Sequence, residues 1–492
     1  MGLILLCQTK KYCFSYIVWL LAKSKLGFKM INGKGMKKLT EMPMPPFLGI
    51  GGHLKVFGNP DLHLQLFDWK KAYGELYRLR FGFSNIIVIS KRKIIQELLE
   101  ARPERFRRTT QLERIFSESK FNGVFSSNGE TWQKQRRFVE DAFKTDNIKT
   151  FYPKLKIITS RLIAHFNELA DSNKTVDLLA ELKRYTADVT IWLAFGEDFN
   201  SLENGESDFE KQINIIFLGI YRRLNAVFPY WYFYKTAKEK KYADAHKKIG
   251  KMIHQFIILQ RKKMSICPEL INEPENLLQA MLAEQINSKA ISDEEIFANC
   301  VTILSAGVDT TANTIAWMSL FISEYSEIQN SLIQEISATT DDGLYDWPLP
   351  KMPLLNAIMY ESMRLKPVAP ILVLENLDHE IISGYKVKRG SKIILLLTGC
   401  GLNEDYFKNY QQFDPQRWLQ QTEQASFANM RPFGGGKRVC PGRWLAMLEM
   451  KLVIAAMFKN FTLEPQQKAS QVQEELAFTM SPKGFFCKVH KK

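Results

Sequence analysis

A mainly α-helical fold with a minor β-sheet is what this sequence predicts, and three observations predict it. Most of the chain repeats its apolar residues at helical spacing, as in Leu155 to Leu169 and Ile249 to Ile258. One stretch, Ser292 to Glu324, stays apolar nearly all round for about eight turns, so it must cross the middle of a large fold. Strand signals are confined to a few short runs bounded by turn residues.

In chain order, Lys10 and Lys11 come first, ahead of an apolar run from Tyr12 to Ala22 that Lys23 and Lys25 close. That run is shorter than the roughly 17 to 25 residues that span a bilayer, and no A-x-A-like cleavage site follows. It reads as a surface-lying anchor or as sequence that translation skips, Met30 and Met36 offering later starts. The Pro-rich stretch Met42 to Gly52 is a stiff lead into the globular body. The expected division is therefore 1–41, a short apolar segment and linker, and 42–492, a single domain. No repeat, low-complexity tract or composition break divides the second part. Strands are expected at Leu76 to Ser90 around Gly82, and at Glu380 to Leu397 with turns at Ser383-Gly384 and Arg389-Gly390. A further short pair falls near Phe478 to Val489, around Pro482-Lys483-Gly484.

The long apolar stretch opens on a capping box, Ser292 with Glu295. It carries Ala306-Gly307-Val308-Asp309-Thr310-Thr311 in its middle. Glycine costs about 1 kcal/mol in a helix interior, and an uncompensated buried Asp costs more. The segment reads as a deliberate break in which Gly307 leaves room for a ligand and Thr310 turns its hydroxyl towards it. A plain helix kink with a capped polar pair is the alternative.

Composition bounds the rest. Hydrophobic residues make up 46% and charged residues 24%, so a disordered or collagen-like chain is excluded. With 33 phenylalanines the interior should be roomy and apolar. A net charge of +15 points to an acidic partner or a membrane surface, or is a habit of composition. The seven cysteines are scattered without C-x-x-C, which speaks against a disulfide framework, a zinc site and covalent c-type haem, and fits a reducing compartment. Any metal must then be held by a lone thiolate.

Cys440 is that thiolate. It lies in Pro432-Phe433-Gly434-Gly435-Gly436-Lys437-Arg438-Val439-Cys440-Pro441-Gly442, ahead of an apolar helix from Trp444 to Phe458. Three glycines let backbone approach a large flat object closely. A position just before a helix start favours the thiolate through backbone N–H groups and the helix dipole. A phosphate cradle is the competing reading of such a loop, but no G-K-[ST] accompanies it.

Here the chain resembles the cytochromes P-450. Phe433, Gly436, Arg438, Cys440 and Gly442 match F-x-x-G-x-R-x-C-x-G, a highly specific signature. Ala306 to Thr311 looks like the family's oxygen-activating helix motif. Glu361-Ser362-Met363-Arg364 is similar to its E-x-x-R, and Phe413 to Trp418 to the segment whose arginine joins that pair. Trp132 and Arg136 form a weaker W-x-x-x-R match. The matches fall in the family's order and span roughly 42 to 490.

The resemblance implies a triangular fold with the long helix over a haem b, and a monooxygenase that inserts one oxygen atom into an apolar lipid, steroid, terpenoid or xenobiotic. Cys440 becomes the proximal ligand, whose thiolate favours O–O cleavage. Arg438, Arg136 and Trp132 become the partners of the haem propionates, with Phe433, Gly436, Gly442 and Ala306 completing the haem contacts. Thr310 and Asp309 become the proton relay. Glu361, Arg364 and Arg417 become a supporting charge network. Two departures stand out. Leu374 and Glu375 occupy a stretch where many members place an Arg or His on a propionate. Gln416 and Trp418 vary their segment, with no functional consequence expected.

Pocket walls are expected at Phe121, Val124, Phe125, Leu304 to Ala306, Val368 to Leu372, Phe478 and Thr479. Phe228 to Tyr234 forms a lid that gates access, touches a membrane or is packed. The chain ends about fifty residues after Cys440, so electrons are expected from a separate ferredoxin, flavodoxin or reductase. That donor would be steered by Lys134, Arg136, Arg137, Lys437 and Arg443. The expected protein is a cytoplasmic monomer with peripheral membrane contact and no nucleic-acid partner. An isomerase or peroxygenase, and a haem-binding sensor without turnover, are the other functional readings.

Overall fold

In the computed structural model, which describes residues 36–492 apart from 48, 50, 227, 289–290, 340–345 and 420–429, helices hold most of the chain and the strands gather into small sheets. The N-terminal run Tyr12 to Ala22, Cys7 and Cys13 lie outside the described residues.

A short strand, β1 (Lys37–Lys38), and helix α1 (Leu62–Tyr73) lead to the predicted hairpin of β2 (Leu76–Phe81) and β3 (Ser84–Ile89). Gly82 turns it with φ +57°, a backbone conformation open to glycine. Helices α2 (Arg92–Glu100) and α3 (Thr110–Glu118) flank β4 (Phe106–Arg108), a strand with no counterpart among the predicted ones. Next come α4 (Gly129–Ala142), α5 (Thr145–Ser172), β5 (Val176–Asp177), α6 (Leu178–Phe195) and α7 (Ser201–Asn204). The chain continues through α8 (Asp208–Leu224), α9 (Ala237–Ile266) and α10 (Leu277–Ser288).

The predicted long helix is α11 (Asp293–Glu324). Its capping box is formed: Glu295 N–H donates to Ser292 Oγ at 3.3 Å, and Ser292 N–H to Glu295 Oε2 at 2.8 Å. It is buried from Ile296 to Leu304 and again from Thr311 to Ile322, with α6, α13 (Pro353–Leu365) and α15 (Arg443–Asn460) packed around it. Helix α12 (Ser326–Ser337) precedes α13, and α14 (Thr398–Gly401) follows the strands β6 (Ile371–Asn376), β7 (Glu380–Ile382), β8 (Tyr385–Val387) and β9 (Lys392–Leu396).

The largest sheet runs β2-β3-β9-β6-β4. Its register places Arg108 of β4 opposite Leu374 of β6, and Arg107 opposite Glu375. After α15 come β10 (Phe461–Pro465), β11 (Gln473–Leu476), β12 (Met480–Lys483) and β13 (Phe486–Lys491). The pair expected around Gly484 does not form. β12 pairs with β11, and β13 with β10 and β5, so the Gly484 turn passes the chain between two sheets. The β11–β12 hairpin instead turns over Ala477 to Thr479. Tyr221 Oη donates to Leu476 O at 3.1 Å, and Leu476 N–H to Pro60 O, tying that hairpin to distant parts of the chain.

Candidate active site

The loop before α15 brings its sulphur to the helix N-terminus. Cys440 N–H donates to Phe433 O at 3.0 Å, closing the loop on itself. Burial pushes the Cys440 thiol up, while the Gly442 N–H, Arg136 and Arg443 pull the other way. A metal cation on the sulphur would reverse that balance in favour of thiolate. Gly436 makes a close approach within the protein itself. A Cβ on Gly436, which has φ +64°, would lie 2.3 Å from the Leu99 carbonyl oxygen. Its close neighbour is therefore the end of α2. Gly442 faces Phe143, 3.4 Å from where its Cβ would sit.

Beside this loop four arginines converge: Arg102, Arg108, Arg136 and Arg438. Arg438 donates to Ser127 O at 2.7 Å and Asn128 Oδ1 at 3.2 Å, with its guanidinium 4.4 Å above the Trp132 ring. Arg136 is engaged with Val439 O at 2.7 Å and with Glu140 at 2.6 Å. Arg102 donates to Leu99 O and to Gly435 O, at 3.2 and 2.8 Å. Arg108 lies over Phe125 at 4.4 Å. Desolvation pushes Arg102 and Arg438 down to about 9, helped by their cationic neighbours, and pushes Arg108 to about 10. The Nε atoms of Arg108 and Arg438 are buried with no hydrogen-bond partner among the described residues. Buried cations with spare N–H groups are costly unless an anion meets them. Two carboxylates of one ligand would satisfy both and reverse the shifts, so the donor set fits a haem with its propionates.

Leu374 is fully buried, and Glu375 is bound to Arg107 at 3.0 Å and to Thr110. Across the ladder from Leu374 stands a cation, Arg108. Strand alternation sends Arg107 outwards to Glu375 and Arg108 inwards. The adjacent Arg107-Arg108 pair was the available sequence signal, hidden because β4 is too short to show a period.

The middle of α11 is an accessible stretch between two buried ones. Ser305 to Thr310 are exposed or half-buried, bracketed on both sides by buried residues. Gly307 does not open space for a ligand, since its Cβ would meet Thr190 Oγ1 of α6 at 2.7 Å. Asp309 is not an uncompensated buried acid either: Lys183 of α6 meets it at 3.0 Å. The Thr310 hydroxyl donates to Ala306 O at 2.6 Å, so it rests on the backbone. Thr186 Oγ1 donates to Val308 O at 3.0 Å.

Glu361 and Arg364 form a bidentate pair, 2.7 and 2.8 Å, with both side chains fully buried. Arg417 reaches Glu361 Oε1 at 3.1 Å, and Arg364 also serves the carbonyls of Gly401, Tyr410 and Gln412. Trp418, expected to be inconsequential, donates its indole N–H to Glu361 Oε2 at 2.7 Å. It completes the shell of donors that makes a buried carboxylate tolerable.

The expected pocket walls are partly assembled. Phe478, at the tip of the β11–β12 hairpin, meets Phe116, Phe125 and Phe217 with centroids 5.6 to 6.5 Å apart. Phe121 belongs to the core, stacked on His246 at 4.2 Å. The Phe228 to Tyr234 segment joins α8 to α9 and is pinned to α3 through Glu118. That carboxylate accepts from Trp231 Nε1 at 3.1 Å and from the Tyr232 hydroxyl. Phe228, Phe233 and Tyr234 remain exposed.

A family model described as Cytochrome P450 matches residues 42–489. Among curated proteins, the chain is 27% identical to "Probable cytochrome P450 508C1" of Dictyostelium discoideum over 466 residues, 88% of this chain and 90% of that one. It is 26% identical to "Steroid 17-alpha-hydroxylase/17,20 lyase" of Gallus gallus over 458 residues, 89% and 88% of the two chains. It is 23% identical to "Cytochrome P450 27C1" of Danio rerio over 91% of this chain. The chain belongs to the cytochrome P450 family, and it is an oxidoreductase, a monooxygenase that holds haem b through a cysteine thiolate.

Proposed function

We propose that Cys440 is the thiolate that holds the haem and that the protein hydroxylates an apolar organic substrate, a lipid, steroid, terpenoid or xenobiotic. One observation carries the assignment of the site: four arginines converge on the loop of a thiol at a helix N-terminus, with two buried N–H groups that have no partner among the described residues. Arg438, Arg108, Arg136 and Trp132 would hold the propionates, with Arg102 stiffening the loop through Gly435 O. Arg136 would have to share its donors with Val439 and Glu140. Phe433, Gly436, Gly442 and Ala306 would form the walls, and Glu361, Arg364, Arg417 and Trp418 would brace the fold on the cysteine side. When bound, the haem supplies the iron at which molecular oxygen is activated.

The remaining work falls to the chain. The apolar ring cluster around Phe478 would hold the substrate and exclude water. Asp309 would take a proton from solvent, and the Thr310 hydroxyl, released from Ala306 O, would carry it inwards. The acid–hydroxyl pair favours the monooxygenase over an isomerase or a peroxide-driven enzyme, which needs no such delivery. Electrons would come from an acidic ferredoxin, flavodoxin or reductase docking on the cysteine side, as the basic residues there suggest.

Exposed Phe83, Phe228, Phe233 and Tyr234, with the nearby lysines 235, 238, 240 and 241, suit a peripheral contact with an anionic lipid surface. Among the described residues no helix is long and apolar enough to cross a membrane. Co-sedimentation with phosphatidylserine vesicles that fails, or that survives F83A/F233A, would remove that contact.

The test of the thiolate is spectroscopic. The reduced protein under carbon monoxide should show the strongly red-shifted Soret band of a thiolate-bound haem, and Cys440→Ser should abolish it. An unchanged band in the variant would assign the ligand elsewhere.

A further inference from the structure

The β11–β12 hairpin that carries Phe478 is a fixed post. At its base the Glu474 carboxylate is largely buried between the His63 ring, at 2.6 Å, and the Lys366 ammonium. Leu476 N–H donates to Pro60 O at 2.6 Å, and Met480 N–H to Val368 O at 2.9 Å. At the tip, Asn313 of α11 donates its side-chain N–H to Thr479 Oγ1 at 3.2 Å. Three separate stretches of chain therefore grip the hairpin. Helix α8 meets this post along one stripe, because Phe217 and Tyr221 stand four residues apart and share a face. The rings of Phe217 and Phe478 have centroids 5.6 Å apart, and one turn further on Tyr221 Oη donates to Leu476 O at 3.1 Å.

The next two residues of α8 turn to the lid. Arg222 and Arg223 both reach the buried Glu239 of α9, at 2.8 and 2.5 Å, and Arg222 also donates to the Tyr230 hydroxyl at 2.9 Å. Helix α8, the Phe228 to Tyr234 segment and α9 are thus tied into one unit, and Tyr221 fastens that unit to the post. The fastening lies one turn from the ring that covers Phe478. We infer that Tyr221 is a positioning residue for substrate admission: its hydroxyl seats α8 on the Leu476 carbonyl and so sets the closed position of Phe217 against Phe478. One neutral hydrogen bond is weak enough to open and re-form in turnover. An apolar molecule too wide for the closed ring cluster has to break it on entering and again on leaving.

The inference rests on the substrate pocket proposed around Phe478, and the test separates the two. Tyr221→Phe, which keeps the ring and removes the donor, and Phe478→Ala are made in the full chain loaded with haem. The probes are carbon monoxide, small enough for a closed cluster to admit, and 4-phenylimidazole, whose binding is followed in the haem spectrum by stopped flow. In Y221F the entry and exit rates of 4-phenylimidazole should rise together by about two- to tenfold, the worth of one hydrogen bond. Its Kd should stay at the wild-type value, as should the rebinding of carbon monoxide after a light flash and the thermal midpoint. Unchanged azole rates in Y221F, with Kd altered in F478A, would overturn the role of Tyr221 and leave the pocket standing. Wild-type azole binding in F478A would remove the pocket itself, and the inference with it. Rates that rise in Y221F for carbon monoxide as much as for the azole, or a lowered midpoint, would show a general loosening of the fold and overturn the inference.

Discussion

Thr310 donates its hydroxyl to Ala306 O, the resting contact of the group proposed to carry a proton. Thr310→Ala should leave haem and substrate binding intact while NAD(P)H consumption continues with more peroxide and less product. Unchanged coupling, measured as product formed per NAD(P)H, would leave the residue a helix kink only. Arg108 offers a second residue-level prediction. Its buried Nε lacks a partner among the described residues, so Arg108→Gln should loosen the cofactor. The loss of one charge-assisted contact is worth about 1.5 to 3 kcal/mol. Transfer of haem to apomyoglobin should be measurably faster than from the wild type, and an equal rate would take Arg108 out of the site. At this scale the sequence was informative about residue types and silent about neighbours. Cys440, Thr310 and Glu361 stood out from their local patterns, whereas Lys183 and Trp418 find their partners, Asp309 and Glu361, more than fifty positions away.

Among the elements, α11 was legible because an all-round apolar run with a capping box has one physical solution. β4 was not, since three residues carry no period and the strand exists only because β6 is there to pair with it. The strands near Gly484 were placed correctly but paired wrongly, because a turn signal does not say which sheet receives the next strand. Helix α15 hides a carboxyl that composition gave no reason to notice. Glu449 is buried, its Oε1 has no hydrogen-bond partner among the described residues, and burial holds its pKa well above the ordinary value of 4.5. The unfolded chain releases this proton in the ordinary carboxyl range, while the folded chain keeps it to higher pH. Between those two limits the folded state binds more protons, so stability falls as pH rises through the window. Glu449→Gln should therefore raise stability at neutral pH and flatten that slope. Urea unfolding at acidic and neutral pH measures it, and an unchanged slope would show that Glu449 ionises without cost.

For the molecule as a whole, the family, the mainly helical class and the haem-thiolate chemistry were legible because several motifs recur in one order along nearly the whole chain. Surface electrostatics was less so. Of the five basic residues expected to steer a donor, Lys134 is paired with Glu295, Lys437 with Glu104, and Arg136 is engaged inside. A net charge of +15 cannot tell an available cation from an occupied one. Arg137 and Arg443 are the ones to reverse. R137E/R443E should slow reduction by an acidic ferredoxin and weaken its dependence on salt, with substrate binding unchanged. Equal slowing by K238E/K240E, on α9, would show that only net charge matters.

The contact between Gly307 and Thr190 bears on how this protein can change over generations. The two positions lie on different helices, yet each sets the size limit of the other, because a methyl group at 307 would fall 2.7 Å from the Thr190 hydroxyl. Neither is free to grow alone. A lineage that gains alanine at 307 must shrink residue 190 first or separate the helices, and separating them would also part Lys183 from Asp309. The distance between two backbones is thereby inherited as a pair of small residues, and a change far from the cysteine can shift the middle of α11 without touching the loop that carries it.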